Sequence, residues 1–244
     1  MAIRLEAPVY TLEAALSAAD YGVDRLELCA DFGEGGTTPS AGMLAHIKAS
    51  VDIPVFVMIR PRGGDFVYSE GEIEVMKRDI AFFKSLGADG FVFGVLDKQG
   101  NVDRLACSRL LQAAGDSPCT FHRAIDAAAD GMKSLEDVIS LGFARVLTSG
   151  GMANVTEGLA VVKQMMQTAG ERIIVIPGGG TLPTHLDELA TTGFLREVHA
   201  SCKAYRSSES QYFNPHLSLS EGNETVHEVL TIDQKLVEAF KIKM

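Results

Sequence analysis

The chain of 244 residues has no tryptophan, only 5 tyrosines and only 4 cysteines. Cys29, Cys107, Cys119 and Cys202 are far apart, with no Cys-x-x-Cys pair and no zinc-type Cys/His spacing. That excludes a disulfide framework and leaves Cys107 and Cys119 as reduced, partly buried thiols. No apolar run approaches the ~18 residues of a membrane span, and the N-terminus lacks a signal-type apolar stretch. Lys and Arg are scattered and outnumbered by Asp and Glu, 22 against 32, so there is no basic stripe for nucleic acid. These absences predict a cytoplasmic protein that engages neither membrane nor nucleic acid. What the sequence does have is a 46% share of hydrophobic residues, too apolar for disorder. Its length suits one α/β barrel, since such barrels run ~200–250 residues as a single domain.

Short apolar runs alternate with longer amphipathic ones. The strand candidates are Arg4–Glu6, Arg25–Cys29, Val55–Arg60, Gly90–Val95, Thr120–Ala124, Arg145–Ser149, Ile173–Pro177 and Glu197–Ser201. Between them lie helical stretches at Thr11–Asp20, Ser40–Ser50, Gly71–Leu86 and Asn154–Ala169. In the third of these, Ile73, Met76, Ile80 and Phe83 recur at helical spacing. Helices repeatedly run through a glycine into the next strand, at Gly22, Gly87 and Gly142, as a left-handed cap and short αβ loop require. The pattern predicts a single TIM (β/α)8 barrel over residues 1–204. An open doubly wound sheet is the alternative. The first βα loop reads Tyr10-Thr11-Leu12 and not a Gly-rich fingerprint, so no nucleotide cofactor is implied. Residues 205–244 are expected to extend the same domain, with Tyr205–Thr225 as a long surface segment and Asp233–Lys243 as an amphipathic helix.

In such a barrel, chemistry belongs at the C-terminal ends of the strands. Read in order, those ends carry Glu6, Glu27 with Cys29, Arg60 leading into Arg62 and Asp65, His122 with Arg123, Ser149-Gly150-Gly151, Gly178-Gly179-Gly180, and His199 with Ser201. Alternation puts Glu27 and Cys29 on the face opposite Leu26 and Leu28. Ionisable groups gathered at one rim are costly to bury unless they are paired or used. A purely structural alternative is an internal salt-bridge network in which Arg60 neutralises Glu6 or Glu27.

Two successive glycine clusters suggest an anionic ligand, because glycine lets backbone N–H groups approach an anion and late barrel loops often cradle phosphate. The expected anion site is Ser149, Gly150, Gly151, Gly178, Gly179 and Gly180, with Arg60 and Arg62 adding contacts from across the mouth. Glu27 or His122 would then serve as catalytic acid or base. A soft cation would want Cys29, with His or Met from neighbouring strands, but the residues alone do not assemble a metal site.

The same strand-end segments resemble the CutC family of copper-homeostasis proteins. They are Arg25–Cys29, Gly35–Ser40, Pro54–Asp65, Thr120–Ala124, Arg145–Gly150 and Pro177–Gly180, and the Met58–Asp65 block is the most specific. The resemblance implies a cytoplasmic TIM barrel that forms a homodimer or larger oligomer and binds copper as Cu(I). In animal members it implies two cysteine ligands, one in a Glu-Val-Cys and one in a Glu-Leu-Cys pattern. The second corresponds to Cys29, whereas the first is replaced here by Ala7 in Leu5-Glu6-Ala7. Copper would therefore need Cys29 with a Met, a His, another cysteine such as Cys202, or a second subunit. Two readings follow: a copper-homeostasis protein, or a barrel enzyme acting on a small phosphorylated or carboxylated metabolite.

Overall fold

The computed structural model describes residues 3–214, 216 and 227–244. Strands and helices alternate through β1 (Arg4–Val9), α1 (Leu12–Asp20), β2 (Arg25–Leu28), α2 (Ala41–Lys48), β3 (Val55–Met58), α3 (Glu70–Ser85), β4 (Gly90–Phe93), α4 (Arg104–Ala114) and β5 (Cys119–Phe121). The chain continues through a 3-10 turn (Arg123–Ala127), α5 (Gly131–Leu141), β6 (Arg145–Thr148), α6 (Val155–Ala169), β7 (Ile174–Pro177), α7 (His185–Ala190) and β8 (Glu197–His199). Side-chain caps fix several helix starts where the apolar periodicity begins. Thr11, Ser40 and Asn154 accept from amides of the first turn, and Ser69 with Glu72 forms a reciprocal capping box. No helix among the described residues is long and apolar enough to cross a membrane.

The strands pair in parallel in the order β7-β6-β5-β4-β3-β2-β1-β8, and Gly178 at the end of β7 packs on His199 of β8 to complete a nearly closed barrel. β1 reaches Val9, further than the Arg4–Glu6 run predicts, and contains Pro8. Proline is tolerated there because the even residues of β1 bond towards β8, whose ladder ends at His199 opposite Glu6. The missing amide of Pro8 falls beyond that last pair and costs no ladder bond.

Alternation divides the strand residues between two environments. Leu26, Leu28, Val55 and Val57 belong to the large core between sheet and helices, whereas Cys29, Phe56, Met58 and Val92 form a small apolar cluster inside the cylinder. Below that cluster lies a charged floor built from Arg25, Arg145 and Glu197, the first residues of β2, β6 and β8. Arg25 donates from Nε to Glu6 Oε2 at 2.5 Å and from Nη2 to Glu197, while Arg145 Nε donates to Glu197 Oε2 at 2.8 Å. Phe56 lies between the two guanidiniums, 4.7 and 5.2 Å from their central carbons. Glu6 is thus neutralised by Arg25 and not by Arg60, the pairing the sequence suggested. Arg25 is the register partner directly opposite Glu6 on β2.

The C-terminal region departs from the sequence expectation. Lys203–Ser207 forms β9, which pairs antiparallel with β10 (Glu228–Ile232), so the long surface segment expected from Tyr205 begins within a hairpin strand. Residues 215 and 217–225 of that expected segment lie outside the described residues. The final helix does form, as α8 (Gln234–Lys243) capped by Asp233, and it buries Val237 and Phe240. Thr11 Oγ1 donates to Leu230 O, tying the hairpin to the start of α1.

Candidate functional site at the barrel mouth

The C-terminal ends of the strands open into a cavity of about 520 Å³, and Glu27, Arg60, His122, Arg123, Gly179, Gly180, His199 and Ser201 all line it. They come from β2, β3, β5, β7 and β8 and the loops that follow, so strand topology alone brings them together. Asp126, Met58, Phe66 and Glu34 also line the cavity. Glu6 lies just beneath, behind His199.

Glu6, His199 and Glu27 form a buried relay. His199 Nδ1 is 2.8 Å from Glu6 Oε1, and its Nε2 is 3.9 Å from Glu27 Oε2. Burial would raise the Glu6 carboxyl, but the Arg25 guanidinium with His199 holds it at about 2. Glu27 has no such partner, and burial raises it to about 7 against the pull of His199. His199 is raised in turn: burial opposes its charge, and the two carboxylates overcome burial. One ligand atom from each of the three lies within 4.8 Å of the others, so the trio is geometrically able to hold a cation. Glu6 and His199 are nonetheless satisfied by each other and by Arg25, while Glu27 Oε1 is buried without a partner among the described residues.

His122 is the second unsatisfied group. Its Nδ1 accepts from the Ala124 amide at 3.2 Å, which puts the ring proton on Nε2, and Nε2 has no partner among the described residues. Burial and then the nearby Arg60 charge depress its pKa to about 3, so the ring is neutral. That state suits hydrogen-bond donation to a ligand. Of the two acid or base candidates, Glu27 is the one whose carboxyl is raised, to about 7.

Arg60 staples two loops together. Nη1 donates to Glu34 O and Gly36 O at 2.6 and 3.0 Å, and Nη2 donates to Gly64 O at 2.8 Å. The guanidinium lies over Phe66 at 5.1 Å, and Nε has no partner among the described residues. Arg62 and Asp65 face elsewhere: Arg62 bonds Glu72, Val67 and Asp65 itself, and neither residue lines the cavity.

The loop after β6 also differs from the expected anion cradle. Its amides are already occupied, because Ser149 N and Gly151 N donate to the Asp126 carboxylate and Gly150 N to Thr148 Oγ1. The anion this loop holds is the protein's own Asp126 carboxylate. Gly178 is likewise committed, its amide to Thr148 O and its Cα packed against Leu147 and His199. Gly179 and Gly180 remain on the cavity wall, and the Arg123 guanidinium lies flat against Gly179. Arg123 is oriented by Asp126 through Nε at 2.8 Å. Asp126 was missed as a site residue, and its spacing three residues beyond Arg123 was the available signal.

Cys29 sits beside the cavity in the inner apolar cluster, and its thiol is raised well above the usual range by burial and then by the adjacent Glu27. Its Sγ is 3.7 Å from Glu27 Oε2. Gly36 explains how the sulfur is covered: a Cβ there would stand 3.3 Å from Cys29 Sγ and 3.6 Å from Met58 Cε. Cys202 lies in the outer core, away from this cluster.

The fold and mouth define a (β/α)8 barrel with a polar, partly unsatisfied ligand chamber. A family model, the CutC family, matches residues 3–204. The chain is 46% identical over 215 residues to the human copper homeostasis protein cutC homolog, covering 88% of this chain and 79% of that protein. It is 43% identical over 214 residues to the family protein CutC of Xanthomonas campestris pv. campestris, covering 88% and 89%. The solved structure of CutC from Streptococcus agalactiae superposes with a TM-score of 0.76 at 31% identity, covering 82% of this chain and 99% of that one. This chain belongs to the CutC family.

Proposed function

We propose that this protein acts in copper homeostasis, as its named relatives do, by holding Cu(I) on the Cys29 sulfur with Met58 as the second soft donor. The observation that carries this reading is the packing of the Cys29 and Met58 side chains in one apolar cluster beneath Gly36, where Cys29 Sγ and Met58 Cε lie 3.3 and 3.6 Å from the place a Gly36 Cβ would take. Thiolate and thioether are the donors a soft monovalent copper selects, and an apolar wall of Phe56 and Val92 shields such a pair from water. With Ala7 in place of the other family cysteine, Met58 is the soft donor that shares the inner cluster with Cys29. The reading carries with it cytoplasmic residence and self-association. In competition with a Cu(I)-specific chelator, Cys29→Ser should weaken binding by at least about tenfold and Met58→Leu by a smaller factor. Wild-type affinity in Cys29→Ser would eliminate the assignment.

A further inference from the structure

A cavity of about 520 Å³ is far larger than one metal ion needs and falls in the ~300–1,000 Å³ range of small-molecule sites. Three side chains on its wall, Glu27, Arg60 and His122, are 3%, 5% and 4% exposed, and each carries a polar atom with no partner among the described residues. Buried polar atoms are normally satisfied; two other orphans among the described residues, Tyr68 Oη and Thr120 Oγ1, belong to residues off the cavity, whereas these three belong to one wall and point to ligand atoms there. They also specify them. His122 Nε2–H and Arg60 Nε–H each need an acceptor, and Glu27 Oε1 is placed to take a donor.

Charge adds a fourth condition. Arg25, Arg145 and Arg123 each face a carboxylate, whereas Arg60 is buried against three carbonyl oxygens and no carboxylate among the described residues. Opposite it, Arg123 uses Nε and Nη2 on Asp126, Ser149 and Met152 and turns Nη1 towards Gly179, with no bond from Nη1 among the described residues. We propose that the mouth binds a small hydroxylated organic anion, whose carboxylate or phosphate meets Arg60 and Arg123, whose carbonyl or hydroxyl oxygen accepts from His122 Nε2–H, and whose hydroxyl donates to Glu27 Oε1. The anion address thus moves from the β6 loop, which Asp126 fills, to the two arginines flanking the chamber.

Calorimetric titration of the full chain with glycerate, glycerol 3-phosphate and inorganic phosphate tests this. At least one organic anion should bind about tenfold or more tightly than inorganic phosphate, and the better of the two tells carboxylate from phosphate. His122→Phe and Arg123→Met, each verified as folded by its thermal transition, should each weaken that binding about tenfold or more. Arg123 is part-exposed and outside the core, so its variant tests the site where His122→Phe fails to fold. Absence of binding by both organic anions, parity with inorganic phosphate, or wild-type affinity in the folded variants would overturn the proposal.

Discussion

His122 shows how one local hydrogen bond sets the chemistry of a residue. The Ala124 amide occupies Nδ1, so the ring presents Nε2–H and stays neutral down to about pH 3. Its ordinary value is 6.5, so the folded pKa is depressed. The unfolded chain then binds the extra proton first, and the His122 contribution to stability is complete above pH 6.5 and lost as pH falls towards 3. Between pH 6.5 and 4 the wild type should therefore lose more stability in urea titrations than His122→Phe does, by on the order of a few kcal/mol. Parallel curves would refute the assignment. Glu27 titrates in the opposite sense, so the comparison between the two chains isolates the imidazole. That Glu27 and His122 reach the same chamber was readable from strand-end position and alternation. That the histidine is a donor was not, because tautomer depends on a backbone amide two residues away.

At the scale of elements, the helices and strands were legible because caps and apolar periodicity coincide: Thr11, Ser40 and Asn154 stand where the predicted helices begin. Register-dependent contacts were not. Gly158, inside α6, looks like a mere propensity cost in sequence, yet a Cβ there would lie 1.8 Å from Ser149 O. The glycine lets α6 seat its first turn directly on the loop that wraps Asp126. Gly158→Ala should accordingly destabilise by about 2–3 kcal/mol through overpacking, while Gly42→Ala, in α2 with open space at its Cβ, should stabilise by up to about 1 kcal/mol. Chemical denaturation of the pair checks this, and a stabilised Gly158→Ala would contradict the packing. The same limit explains the β9–β10 hairpin: its pairing partners are separated by a long polar stretch that carries no periodic signal.

For the whole molecule, barrel closure was implied by eight alternating units, but the charged floor was not. Arg25, Arg145 and Glu197 open their strands, and only the stagger of a closed sheet brings those starts to one level beside Glu6. Arg25→Met would leave Glu6 with only His199 and Glu197 with only Arg145, and should cost about 3–5 kcal/mol in urea unfolding. Adding Glu6→Gln and Glu197→Gln should recover part of it. A loss under about 1 kcal/mol in Arg25→Met would show that the network contributes little.

That floor has a kinetic consequence. With guanidiniums, carboxylates and the Phe56 ring filling the lower end, the chamber among the described residues opens at the C-terminal mouth of the strands. Anything seated by Met58 or Glu27 must depart by the route it used to enter, past the rim that Arg60 clamps through Glu34, Gly36 and Gly64. Guests of different kinds would then have to take turns, and the opening of one small clasp would time them all.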